Sequence, residues 1–177
     1  MITSIPPTYE TPTPVDLPRA DISAIAENVR KKVGYGPGDP LEPVVVKLGG
    51  EIQYVDAGDD SGSIVVEPGR FWICLPNDTS LVRDRFTIAH ELGHYVLHYL
   101  YQNQRNHRNI AYLRAQRYGS DQAEFEANWF AAAFLMPAPL FREMFKQSHK
   151  NLYAVAQYFA VSPQAAQVRA ESLNLRE

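Results

Sequence analysis

One helical segment constrains the fold of this chain more than any other part of the sequence. From Arg85 to His98 it reads RFTIAHELGHYVLH, in which apolar residues surround His90 and His94. Each residue of an α-helix turns by about 100°, so residues four apart lie on the same face, one turn apart. We therefore expect a largely buried helix that carries both imidazoles on one side.

The spacing of these histidines predicts a metal site. Two imidazoles one turn apart can bind one tetrahedral ion, and Glu91 between them is then turned toward the water that completes the coordination. We expect His90 and His94 to bind Zn²⁺ and Glu91 to act as a general base on that water. Mn²⁺ and Fe²⁺ are alternative occupants of such a ligand set.

A catalytic zinc needs a third protein ligand. His98 repeats the four-residue step, but two such steps accumulate about 80° of rotation, which turns it away from the metal. The segment 121–136 offers Glu124 and Glu126 instead. We favour Glu124, because Asn128 lies one turn further on the same face and can orient a ligand from the second coordination shell. Glu126, which points to another face, is the alternative, or it simply favours the start of its helix.

Two motifs together resemble the ImmA/IrrE metallopeptidases. The first is Arg85-Phe-Thr-Ile-Ala-His-Glu-Leu-Gly-His with His98 after it, and the second is Glu124-x-x-Ala-Asn128-x-Phe-Ala-Ala-x-Phe-Leu-Met-Pro137. In the family pattern the acidic ligand stands four residues before the Asn, which is Glu124 here. The resemblance implies an intracellular zinc endopeptidase with a gluzincin-like core. It also implies a protein substrate, a helix-turn-helix repressor whose cleavage switches on stress-response or mobile-element genes.

A peptidase of this kind needs an oxyanion donor and a place for the peptide. The sequence offers several donors without choosing among them: Tyr95, His149 and Tyr153, and also His107, Tyr112 and Tyr118. We expect a peptide to bind by adding a strand to an exposed sheet edge, supplied by Ile64–Glu67 or Phe71–Leu75.

The rest of the chain divides into a tail and one domain. Residues 1–19 carry five prolines among threonines. Since proline removes a backbone donor and fixes φ, we expect them to form a disordered arm. Residues 20–177 are expected to form a single metallopeptidase domain that includes the helices of residues 150–177. The fold class is α+β, mainly helical and zincin-like.

Local patterns predict the elements of this domain. Helical spacing predicts helices from Ala20 to Gly34, over about residues 80–100 and over about residues 121–136, with two or three short ones after them. Residues 41–48 fit either a helical turn or a strand. Three β-rich pieces predict a small three-stranded sheet, expected to be antiparallel: Glu51–Val55, Ser63–Glu67 and Phe71–Leu75.

Composition narrows the function classes. The chain has 177 residues, a formal charge of −3 and one cysteine, Cys74, which cannot form an internal disulfide. Nothing in this balance favours nucleic-acid or membrane binding, and we expect a cytoplasmic protein. Residues 152–168 read as helix, turn, helix, but few basic residues accompany them, so packing is favoured over DNA binding. The arginines of residues 101–120 are read as a solvated loop.

Two other functions stay open beside the peptidase. The protein could keep the metal and sequester a transcription regulator without cutting it. It could also bind DNA through its C-terminal helices and use zinc as a structural ion. Glu91 favours the peptidase, because a structural zinc site has no use for a base beside its ligands.

Overall fold

The computed structural model describes residues 7–56, 58, 62–116 and 121–175. Within these ranges the chain is mainly helical and carries one small sheet. The helices are α1 (Arg19–Val33), α2 (Glu42–Lys47), α3 (Leu81–Gly93), α4 (Gln102–Arg105), α5 (Gln122–Leu135), α6 (Ala138–Gln147), α7 (Leu152–Phe159) and α8 (Pro163–Ser172). A π-helical segment, His94–Tyr101, joins α3 to α4. The strands are β1 (Gly50–Val55), β2 (Ser63–Glu67), β3 (Arg70–Pro76) and β4 (Leu113–Ala115).

The sheet is mixed, and the prediction of three antiparallel strands was wrong. Its order is β1-β3-β2-β4, with β1 parallel to β3 and the other pairs antiparallel. The tight turn at Gly69 pairs β2 with β3, and β1 pairs with the other edge of β3, where it runs parallel. Three residues of β4 are too short for an alternating pattern to show in sequence. The segments proposed as peptide-binding edges, Ile64–Glu67 and Phe71–Leu75, are interior strands, so that prediction was also wrong.

The predicted helices are present close to their expected bounds. Helix α1 buries Ile22 and Ala26 on one face and ends at Gly34, whose φ of 72° is the left-handed conformation that favours glycine. The ambiguous segment after it is helical over Glu42–Lys47. Helix α5 is capped by Asp121, whose side chain accepts a hydrogen bond from the Glu124 amide at 3.2 Å.

The long helix that carries the histidines is continuous from Leu81 to Arg105, because the junction residues all keep right-handed helical dihedrals. It packs closely on α5 at Gly93. A Cβ at this position would lie 3.1 Å from both the Cα and the carbonyl oxygen of Ala127. A glycine therefore allows the two backbones to approach, and this approach places the second motif against the first.

The N-terminal arm differs from the disordered segment that the sequence predicts over residues 1–19. Its residues 1–6 lie outside the described ranges, but residues 7–18 are bound along their length. The Glu10 amide donates to the Tyr112 carbonyl at 2.9 Å, and the Gln102 side chain donates to the carbonyls of Thr13 and Pro14. Val15 is buried. Prolines leave few amide donors here, so side chains from the domain satisfy the carbonyls of the arm.

The three C-terminal helices join the main core. Phe141, Phe159 and Ala166 are fully buried in the same apolar cluster as Ile88 and Phe130. Cys74 is buried in β3. In the described part of the chain, the helices are all too short or too polar to cross a membrane.

Candidate metal centre

The two motifs bring three metal-binding side chains to one point. The Nε2 atoms of His90 and His94 lie 3.1 Å apart. The Glu124 carboxylate, contributed by α5, lies 3.2 Å from the first and 3.1 Å from the second. His90 stands at the end of α3 and His94 at the start of the π-helical segment, so the α3–α5 contact at Gly93 sets the distance between both histidines and Glu124.

These ligand atoms fit a small divalent cation. Tetrahedral ligands bound to zinc at about 2.0–2.1 Å are about 3.3–3.4 Å from one another, close to the three distances observed. Asn128 Oδ1, which can only accept, lies 2.9 Å from Nδ1 of His90, so the proton of this imidazole is on Nδ1. The Nε2 lone pair therefore points at the carboxylate, an arrangement that a cation between them would stabilise. His90, His94 and Glu124 together can hold a metal ion.

The electrostatics of the site also fit a metal. Burial lowers the pKa of His94 to about 4, so this imidazole is neutral at pH 7. Burial opposes ionisation of Glu124, but hydrogen bonds with His90 and His94 outweigh it and hold the pKa of the carboxyl at about 2. Burial likewise lowers the pKa of His90, but Glu124 and the charge of Glu91 raise it overall. Metal binding at His90 Nε2 therefore competes with protonation of this ring.

Glu91 and Asn128 are both neighbours of His90. Glu91 is 3% exposed, and its charge raises the pKa of the adjacent His90. Asn128 accepts from His90 on the side away from Glu124 and so fixes the orientation of the ring. The roles of these two residues stay predictions.

The oxyanion candidates are scattered. Tyr95 stacks on Phe71 with ring centroids 4.1 Å apart, which makes it a packing residue. His149 lies in the turn after α6, and Tyr153 on α7 is 73% exposed. Tyr112 contacts Tyr9 in the arm, His107 lies in the segment before β4, and Tyr118 lies outside the described residues. Within the described residues, no hydrogen bond or ring contact of these candidates reaches His90, His94 or Glu124 directly.

His98 and Glu126 form a buried pair next to the ligands, which the sequence analysis did not predict. His98 does turn away from the metal position, as expected, but its Nδ1 lies 2.9 Å from Nδ1 of His94. Its Nε2 lies 3.0 Å from Glu126, which is fully buried and does not merely start a helix. The only sequence signal for this pair was the recurrence of His at positions 90, 94 and 98. That His98 contacts Glu126 could be seen only in the folded structure.

Two cavities flank the ligands. One of about 330 Å³ reaches Glu124 and is lined by the arm and the β4 region, including Tyr9, Thr11, Pro12 and Arg114. The other, of about 490 Å³, lies beyond Asn128 and is largely apolar, with Phe86, Trp129, Met136 and Val168 in its wall. A larger cavity of about 660 Å³ lies between the end of α1 and α2, away from the ligands, and is not associated with this chemistry.

Comparison with known proteins agrees with this geometry. The family model described as the IrrE N-terminal-like domain, peptidase M78, matches residues 47–171. A solved structure, described as a Mycobacterium tuberculosis transcriptional regulator, has a similar fold with a TM-score of 0.62 at 17% sequence identity. The match covers 85% of this chain and 47% of that one, so the chain spans about half the length of this neighbour. No curated protein matches the sequence. With both motifs inside the matched range, the chain belongs to the peptidase M78 family, whose domain is IrrE N-terminal-like.

Proposed function

We propose that this protein is a zinc-dependent endopeptidase that cleaves a helix-turn-helix transcriptional repressor. The observation that carries the proposal is the convergence of His90, His94 and Glu124 within 3.2 Å of one another, with a buried acid, Glu91, in the same turn as the histidines. Three ligands with an adjacent acid characterise a catalytic rather than a structural zinc site.

Each part of the proposed peptide hydrolysis is assigned to a particular group. A bound zinc ion supplies Lewis-acid polarisation of the scissile carbonyl and a water of lowered pKa. Glu91 accepts the proton of that water and later delivers it to the leaving amine. Asn128 keeps the His90 ring aimed at the metal position. Two cavities near the ligands, one reaching Glu124 and the other Asn128, offer space for parts of a bound peptide.

The repressor substrate rests on weaker support than the peptidase chemistry. It comes from the family resemblance, and a transcriptional regulator among the similar solved structures is compatible with it. The C-terminal helices give no support to DNA binding by this chain. Arg169, one of their few basic residues, is buried and donates to the Met136 carbonyl at 2.9 Å. Sequestration of a regulator without cleavage is the second candidate, since it would keep the same metal ligands.

The test compares protein N-termini in cells that express the wild type or Glu91→Gln, before and after stress such as DNA damage. Glu91→Gln keeps the three ligands and removes the base, so zinc content should be unchanged. We expect a new N-terminus inside a transcription regulator with the wild type only. Identical termini in both strains under every stress, with zinc bound in both, would reject cleavage and favour sequestration.

A further inference from the structure

A chain of hydrogen bonds connects the metal ligand His94 to the N-terminal arm. His94 Nδ1 faces His98 Nδ1 at 2.9 Å, and His98 Nε2 faces Glu126 Oε2 at 3.0 Å. The same carboxylate accepts from the Val15 amide at 2.9 Å and from the Asp16 amide at 3.0 Å. His98 and Glu126 are fully buried, so no water competes for these bonds.

Glu126 determines which atom donates and which accepts in each of these hydrogen bonds. An ionised carboxylate can only accept, so the proton of neutral His98 is on Nε2. His98 Nδ1 is then an acceptor, and the Nδ1 atom that faces it on His94 must carry the proton. This leaves the lone pair of His94 on Nε2, the atom that lies 3.1 Å from Glu124. Glu126 thus selects the tautomer of His94 that can bind a metal, although Glu126 itself is not one of the three metal-binding side chains.

The arm in turn holds Glu126. Two successive amides, those of Val15 and Asp16, point at the carboxylate, and Asp16 adopts a left-handed conformation with φ of 55° to do so. Successive amides that converge in this way form a small anion-binding concavity. A non-glycine residue in this conformation is strained, and the strain is retained here because the carboxylate is bound. The arm lies outside the matched range 47–171, so the family match does not account for it.

We propose that His98 and Glu126 are positioning residues for the metal ligand His94 and that the N-terminal arm is a structural part of the metal site. The arm's two amides fix Glu126, Glu126 fixes the His98 ring, and His98 fixes the tautomer and orientation of His94. Because this rests on the metal binding of the proposed function, its test measures zinc affinity and tautomers in place of peptide cleavage.

The first experiment compares Glu126→Gln with the wild type by competition against a zinc chelator of known affinity. The amide has one oxygen and one donor group, so it can donate to His98 and reverse the chain of donors. We expect zinc affinity to fall by about 10- to 100-fold, the usual effect of losing an outer-shell partner. Glu143→Gln, which removes the same charge from an exposed site on α6, is the matched control and should bind zinc as the wild type does.

The second experiment reads the tautomers directly by long-range ¹H–¹⁵N NMR of the histidine rings in the zinc-free protein. The wild type should show His94 protonated on Nδ1 and His98 on Nε2. Glu126→Gln should move the His98 proton to Nδ1 or populate the Nε2–H form of His94. This measurement keeps its meaning even if Glu126→Gln lowers stability, because it is made only on folded protein.

The third experiment removes residues 1–18. The truncated chain should lose zinc affinity to a similar degree, whereas Tyr9→Phe, which removes only the bond between the arm and Glu67, should retain it. Unchanged zinc affinity and unchanged tautomers in Glu126→Gln would overturn the proposal and leave the peptidase untouched. Zinc binding by the wild type that is weakened in Glu126→Gln, with no cleavage of any regulator in cells, would reject the peptidase and still support this proposal.

Discussion

Replacing Gly93 with alanine tests how closely the metal site depends on the contact between α3 and α5. The added Cβ would lie 3.1 Å from Cα and from the carbonyl oxygen of Ala127, and 3.2 Å from Cβ of Phe130. Ordinary contact begins near 3.4 Å, so the helices must separate by a few tenths of an ångström. The obstructing atoms are mainly backbone, so no side-chain rotation relieves them.

The expected magnitude is the difference between two opposing effects. Overpacking of this kind costs about 1–3 kcal/mol. Replacing glycine by alanine inside a helix raises the unfolding free energy by about 1 kcal/mol. The net result is a loss of about 1 kcal/mol of unfolding free energy, which for a domain of this size lowers Tm by about 2–4 °C. The separation also moves Glu124 away from His90 and His94, so zinc affinity should fall as well.

Thermal unfolding of the zinc-free protein and zinc titration by chelator competition measure the two effects separately. Gly93→Ser, with a larger side chain and lower helix propensity, should be worse than Gly93→Ala in both assays. Ala127→Gly should not rescue Gly93→Ala, because the contacts are to the Ala127 backbone. A Gly93→Ala protein that is more stable than the wild type and binds zinc equally well would refute the reasoning.

Three further predictions concern other parts of the molecule. Arg30→Met should lower the unfolding free energy, measured by urea denaturation, by about 2–3 kcal/mol. The reason is that the buried guanidinium donates at 2.6 Å to the Phe134 carbonyl in the last turn of α5. A loss under about 0.5 kcal/mol would contradict this. Ala160→Gly should raise the unfolding free energy by up to about 1 kcal/mol, measured as a higher Tm, since Ala160 has a φ of 51°. A lower Tm would show that the alanine is unstrained. Zinc at a hundred times its Kd should add about 2.7 kcal/mol, reversed by a chelator, and Glu124→Gln should respond far less.

The grouping of these potential metal ligands could be predicted from the sequence because their geometry is largely local. His90 and His94 are one helical turn apart, and that spacing alone puts two imidazoles on one face. Glu124 was chosen over Glu126 by the same helical arithmetic, with Asn128 one turn away, and the structure groups Glu124 with the histidines. Residues whose relation is fixed within one helix can be read from sequence with little knowledge of the fold.

The prediction failed where distant segments decide the outcome. Whether β1 pairs with β3 in parallel depends on which side of the β2–β3 hairpin is free, which no local pattern records. The arm was read as disordered from its prolines, yet Glu126 and Gln102 bind it from positions about a hundred residues away. Glu126 was read as an alternative metal ligand or as an acid that favours the start of its helix, for the same reason. The residues that contact the arm and Glu126 are far away in the sequence, so a local pattern cannot reveal them.

Arg85 has a consequence for the order in which this protein completes its fold. Its guanidinium, on the helix that carries the histidines, donates to the Tyr35 hydroxyl, to the Asp39 carbonyl at 2.7 Å and to the Ala160 carbonyl at 3.1 Å. The last of these contacts closes a loop of 75 residues, and contacts of such long range form slowly and late. A nascent chain that ends before Ala160 lacks this anchor for the histidine helix. Full docking of the helix therefore waits until the chain has been synthesised beyond Ala160.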